Sequence, residues 1–204
     1  MFNLNPNRVL VGYMVRHGEL QSMNSWDGWG AYGLSETGLM SAEKAAQYLS
    51  FEKIGRVICS DLARTTQTGE IILNECCVCC PQLGTDPNLR AWMVAGFTGQ
   101  EKTPENIAKF KYYVDNPTVP IPGGESLQQF EQRIQVLAQY MACPIDGYPS
   151  VFAIHNSVIK HFMGIGEVAE AVAPGGIVAC YLTDKGEFEF EVVLGAVEPE
   201  IGIS

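Results

Sequence analysis

The chain has 204 residues, 47% of them apolar and 18% charged, which fits one globular domain with a sizeable core and excludes a disordered chain. A net charge of −10, with 13 Lys and Arg in all, argues against a basic face for nucleic acid. No apolar run approaches the roughly 20 residues of a membrane-spanning helix, so a soluble protein with neither a nucleic-acid nor a membrane partner is expected.

The opening MFNLNPNRVLVGYM lacks the basic region, apolar stretch and cleavage site of a secretion signal. A cytoplasmic location follows as the expectation, and the odd count of seven cysteines agrees with reduced thiols there. Residues 8–15 read as the first strand. SETGLMSAEKAAQYLS, residues 35–50, reads as a helix with Ser35 as its cap and Leu39, Ala42, Ala46 and Leu49 on one face. RVIC at 56–59 is a second strand, and Ser60 can cap the helix DLARTTQTGEIIL that follows.

The run CCVCC places Cys76, Cys77, Cys79 and Cys80 in two overlapping C-x-x-C pairs. A metal site there needs a second ligand pair, and no histidine lies near in sequence. A buried third strand over CVCC is the simpler reading, since cysteine behaves as a small hydrophobe.

Residues 81–103 show no period and read as a long loop, often a functional feature. Residues 104–115 read as a helix with Pro104 in its first turn. NPTVPIPGG is a turn-rich connection. ESLQQFEQRIQVLAQYM is the strongest helix, with Leu127, Phe130, Ile134, Leu137 and Met141 in one stripe. SVFAI at 150–154 is a strand running into the helix HNSVIKHFMG. IVACYLTDKGEFEFEVVL reads as two strands around an Asp-Lys-Gly turn, the alternating second one at a sheet edge. Strands alternating with helices predict an α/β fold, a three-layer sandwich whose mostly parallel sheet carries helices on both faces. A single domain over 1–204 is expected, with 81–123 as an excursion from it.

Open α/β sheets bind ligands beyond the carboxyl ends of their strands. The first strand here ends in Arg16-His17-Gly18. The second leads into CSDLAR, which puts Arg64 in the first turn of a helix. A later one ends in His155-Asn156. A lone strand-end histidine is more often a hydrogen-bonded structural residue, and a lone helical arginine a surface charge. Arg64 is nonetheless poorly placed against the helix dipole. If the strands are parallel, two arginines, two histidines and helix N-termini meet at one edge and form an anion site. Gly18 suits a backbone that a ligand must approach closely. His161 falls six residues after His155, about 240° around a helix, and is expected to face elsewhere.

RHG at 16–18, LSETG at 34–38, SDLARTTQT at 60–68, PGGES at 122–126 with Arg133 downstream, and His155 after an apolar strand together resemble the histidine phosphatase superfamily, the phosphoglycerate mutase-like proteins. The resemblance runs over most of the chain in order. It implies a phosphatase acting on a small phosphomonoester, the expected partner, through a phosphohistidine intermediate. His17 resembles the nucleophile, and Arg16, Arg64 and His155 resemble the residues that hold the phosphoryl oxygens. Gly18, Glu19, Asn24, Glu125 and Asn156 are the further residues expected at the substrate. Neither a metal nor another cofactor is expected, because the arginines supply the positive charge that phosphoryl transfer needs.

The resemblance breaks at LRAWMVAGFTG, residues 89–99, where the family commonly carries a general-acid glutamate and this chain carries Ala91. Loss of a general acid typically costs about 10²–10⁴ in rate. The loop after RHG also departs, with Leu20 and Met23 at positions where the family commonly carries Ser or Thr and Asn. Three readings therefore stand: a phosphatase with another carboxylate as acid (Glu19, Asp27, Glu101 or Glu125), a phosphate-binding module with little catalysis, and a phosphoglycerate-type mutase. The mutase ranks last, for want of further basic residues to hold a bisphosphate. The pocket wall is expected from 19–33 and 92–122, where Trp26, Trp29, Tyr32, Trp92 and Phe97 either cover the substrate or pack the loops down.

Overall fold

A computed structural model describes residues 7–21, 25–75, 83–166 and 171–196. In these, strands β1 (Arg8–Arg16), β2 (Arg56–Cys59), β3 (Leu83–Thr85), β4 (Ser150–Ile154), β5 (Val172–Thr183) and β6 (Phe188–Ala196) form one sheet of order β3-β2-β4-β1-β5-β6. The four strands from β3 to β1 are parallel, while β5 and β6 are antiparallel to their neighbours. The sheet is therefore mixed, with a parallel core and a hairpin at one edge. Edge strand β6 alternates apolar and charged residues over FEFEV, as a strand with one covered face should.

The period of two along each buried strand divides the core. Tyr13 and Val15, Val57, Val151, Ile177 and Ala179 pack with Ala45, Ala46 and Leu49 of α1 (Glu36–Leu49) and Ile72 of α2 (Ala63–Glu75). Their alternates Met14, Ile58, Phe152, Ile154, Val178 and Cys180 face the other way. There they meet Phe110 of α3 (Pro104–Asp115), Phe130 and Ile134 of α4 (Leu127–Ile134), Leu137 and Met141 of α5 (Val136–Ala142), and Val158 and Ile159 of α6 (Asn156–Met163). Helices on both faces of one sheet make the three layers expected from the sequence.

Several local expectations hold in detail. Ser35 caps α1 by accepting from the Gly38 N–H, and Pro104 opens α3 behind the cap of Thr103. Three others are corrected. The helix over 125–141 is two helices joined at Gln135, which keeps right-handed dihedrals. The apolar stripe therefore continues unbroken across the joint. The loop over 81–103 contains β3, whose LGT has little strand propensity and is held by its register against β2. Finally, α2 begins at Ala63, and the Ser60 hydroxyl bonds to Thr65 and His155. The expected CVCC strand lies outside the described residues. Among the described residues, no helix is long and apolar enough to cross a membrane.

Candidate active site

Parallel pairing of β1 with β4 and of β4 with β2 brings three strand ends to one edge. Arg16 and His17 arrive from β1, His155 from β4, and Arg64 from the start of α2 just beyond β2. All four line one cavity of about 200 Å³. A single expected feature, the parallel core, thus gathers side chains up to 139 residues apart in sequence (Arg16 to His155).

Hydrogen-bond partners fix the state of both histidines. His17 Nδ1 lies 2.8 Å from the Gly18 carbonyl. A carbonyl only accepts, so Nδ1 carries the proton and Nε2 keeps its lone pair. Burial, then the positive charges of Arg64 and Arg16, push the His17 pKa down to about 3 against the opposing Gly18 hydrogen bond. His17 is therefore neutral near pH 7. His155 is arranged in reverse. Arg64 Nε donates to its Nδ1 at 3.4 Å, so its Nε2–H donates to Ser60 Oγ at 2.8 Å. Burial and the same cations hold its pKa well below the ordinary value.

Arg64 is 1% exposed. Burial brings its pKa down to about 10, opposed by the charge of Asp27, so it stays cationic near pH 7. Its Nη1 and Nη2 donate to the Gly30 and Gly28 carbonyls at 3.0 and 2.6 Å. With the bond to His155, three of its five N–H groups are committed and its plane is set. Arg16 Nη1 donates to the Val172 carbonyl at 2.7 Å. Two hydrogen-bonded guanidinium groups beside two neutral imidazoles give this edge the chemistry to hold an anion.

The other residues singled out from the sequence divide. Asn156 lines the cavity at the start of α6, and its Oδ1 accepts from the Ala171 N–H at 3.1 Å. Gly18 is outside the cavity lining. Its lack of a side chain serves contact with α1, since a Cβ there would stand 2.1 Å from the Gly38 carbonyl oxygen. Glu19 is also outside the lining and accepts from the Thr37 hydroxyl. Glu125 stands behind the wall, bonded to Arg133 and to the Met93 N–H. Asn24 lies outside the described residues. His161 is absent from the lining and meets Glu131 and Gln135.

Trp26 and Trp92 line the cavity, joined by Val94, Ile107 and Phe110. Phe97 packs against Trp26 and Phe110 behind them. Trp29 instead braces Ala91, donating from Nε1 to its carbonyl at 2.8 Å with the Arg90 guanidinium 4.4 Å from its ring. Ala91 itself lines the cavity. Sequence reasoning missed Lys102 and Lys160, both in the wall. Lys160 had a legible signal: it follows Asn156 by four residues on α6 and so shares its face.

A family model of the histidine phosphatase superfamily (branch 1) matches residues 12–167. A probable phosphoglycerate mutase GpmB of Proteus mirabilis is 31% identical over 152 residues, covering 69% of this chain and 67% of that protein. Its counterpart in Yersinia pestis is 32% identical over 165 residues, covering 78% and 72%. Among solved structures, a mycobacterial glucosyl-3-phosphoglycerate phosphatase in complex with VO3 superposes with a TM-score of 0.75 at 17% identity, over 93% of this chain and 100% of that one. A phosphoglycerate mutase from Thermus thermophilus superposes at 0.65 with 24% identity, over 91% and 98%. The two structural likenesses establish a shared fold.

Proposed function

The chain belongs to the histidine phosphatase superfamily, and on that basis we propose that it hydrolyses a small phosphomonoester through a phosphohistidine formed on His17. The observation that carries this reading is the His17 tautomer. With Nδ1–H donated to the Gly18 carbonyl, the uncharged Nε2 holds the lone pair a nucleophile needs.

In the first step the Nε2–P bond forms, the ester P–O bond breaks, and the leaving oxygen takes up a proton. In the second, water attacks phosphorus, loses a proton, and releases phosphate with the N–P electron pair returning to His17. Charge on the transferring group spreads over its equatorial oxygens, where Arg16 and Arg64 stabilise it. His155 presents no positive charge of its own and serves to orient Arg64 through Nδ1. A cavity of about 200 Å³ suits a small ester, with Trp26, Trp92 and Phe110 as its apolar wall.

A second reading is favoured by Lys102 and Lys160. These are basic residues of the kind a mutase needs for a second anionic group, and the curated relatives carry the mutase name. The two readings separate on one experiment. Wild type and His17→Ala are incubated with aryl and alkyl phosphates and with a phosphorylated hydroxy acid, scoring free phosphate, positional transfer and phosphohistidine by mass spectrometry. Phosphate release and a phosphorylated His17, both lost in the variant, are expected. Transfer between hydroxyls without net release favours the mutase, and phosphate binding without either reaction leaves a binding module.

A further inference from the structure

Transfer to His17 leaves one requirement unassigned, a proton for the leaving oxygen. Ala91 has none to give, and the His155 Nε2–H is committed to Ser60. Among the described residues that line the cavity, Asp27 is the single carboxylate. Glu19, Glu101 and Glu125 are outside that lining.

Asp27 is carried on a turn pinned from three sides. Its own carbonyl accepts from the Gly30 N–H at 2.8 Å, and Trp26 exchanges backbone hydrogen bonds with Gln100 and Gly99 at 3.3 and 2.8 Å. The Gly28 and Gly30 carbonyls hold Arg64. The guanidinium that faces the phosphoryl group and the turn that bears the carboxyl are thus one hydrogen-bonded unit.

Resting on the phosphatase reading, we propose that Asp27 is the proton donor to the leaving oxygen and, once ionised, the acceptor of the proton from the attacking water. The bookkeeping closes over one turnover. The carboxyl proton goes to the leaving alkoxide as the Nε2–P bond forms. The carboxylate regains a proton from water as the P–O bond of phosphate forms and Nε2–P breaks.

The test compares wild type with Asp27→Asn on a nitrophenyl phosphate, whose leaving group needs no protonation, and on an alkyl phosphate. Binding of inorganic phosphate checks that the variant retains its site. The expected result is a fall of about 10²–10⁴-fold in kcat/KM for the alkyl ester. The nitrophenolate burst should change less than about tenfold, with phosphohistidine accumulating because water is no longer deprotonated. Equal losses on both esters, or no loss on either, overturn the assignment. A wild type that forms no phosphohistidine from either ester overturns the phosphatase reading itself, and this inference with it. A wild type that forms it, beside an unaffected variant, sinks the Asp27 role alone.

Discussion

Gly18 and Gly38 meet backbone to backbone: a Cβ on Gly18 would stand 2.1 Å from the Gly38 carbonyl oxygen, and one on Gly38 would stand 2.1 Å from the Glu19 carbonyl oxygen. This contact seats the turn after β1 against the first turn of α1. The same turn supplies the carbonyl that orients His17. Gly18→Ala must therefore move backbone, not merely a side chain. A cost of about 3 kcal/mol is expected, at the upper end of ordinary overpacking. In a chain of 204 residues that lowers Tm by roughly 6–12 °C. Thermal unfolding by circular dichroism checks it, and a Tm within a degree of wild type would show that the two turns separate freely.

Ser60 is fully buried, and its hydroxyl takes the Nε2–H of His155 at 2.8 Å. Ser60→Ala leaves that N–H without its partner and frees the imidazole to adopt the other tautomer, in which Nδ1 no longer accepts from Arg64. One buried hydrogen bond is worth about 1–1.5 kcal/mol, so kcat/KM should drop about tenfold. Ser60→Thr, which retains a hydroxyl, should recover part of the loss if the neighbouring Thr65 makes room. Steady-state kinetics on a single phosphomonoester, run for all three proteins, provides the comparison. An unchanged Ser60→Ala rate would mean that His155 needs no second partner.

Much of the fold was legible because the cues are local. Alternation along β1 and β4, the Ser35 cap and the apolar stripe of α4 and α5 each depend on neighbours a few residues apart. The meeting of Arg16, His17, Arg64 and His155 followed from one further step, the parallel core. A glycine beside a strand end gives no sign of what approaches it, so the sequence alone points Gly18 at a ligand where the structure sets it against α1. The sequence pattern points Glu125 at the substrate, yet its pairing with Arg133 holds it behind the wall. Asp27 is one of four carboxylates the sequence offers, and Lys102 goes unmarked; both sit in segments without period, where only tertiary contacts such as Trp26 to Gln100 decide which side chains face the cavity. β3 escaped notice for the same reason, since its pairing and not its composition makes it a strand.

The pair Glu125–Arg133 supports the wall that contains Ala91. Arg133 Nε and Nη2 donate to the carboxylate at 2.9 and 2.5 Å, and its guanidinium also donates to the carbonyls of Asn88, Arg90 and Ala91. With the two side chains 15–16% exposed, Glu125→Gln should cost about 2 kcal/mol, less than the roughly 3–5 of a fully buried broken pair. KM should rise more than kcat falls, because the wall loosens while the His17 cradle stays intact. Exposed Glu101→Gln is the control, with an effect within about 0.5 kcal/mol. Urea unfolding and steady-state kinetics check both variants. Equal behaviour of the two would remove Glu125 from any supporting role.

Acid stability should report the two buried histidines. The His17 pKa is pushed from 6.5 down to about 3, and His155 is also held well below its ordinary value. In the unfolded chain both bind protons below about pH 6.5, whereas folded His17 does so only near pH 3. The unfolded state therefore holds more protons throughout that window. Stability rises with pH across it and is lost on acidification, by up to roughly 1.4 kcal/mol per pH unit for each histidine. The loss begins near pH 6, before carboxylates titrate. Urea unfolding at pH 7, 6, 5 and 4 should show this slope in wild type and a shallower one, by about one proton, in His17→Asn. A wild-type stability that is flat from pH 7 to 5 would mean that both imidazoles take up protons in the folded state as readily as in the unfolded one. The neutral state of His17, on which the proposed phosphohistidine step depends, would fall with that result.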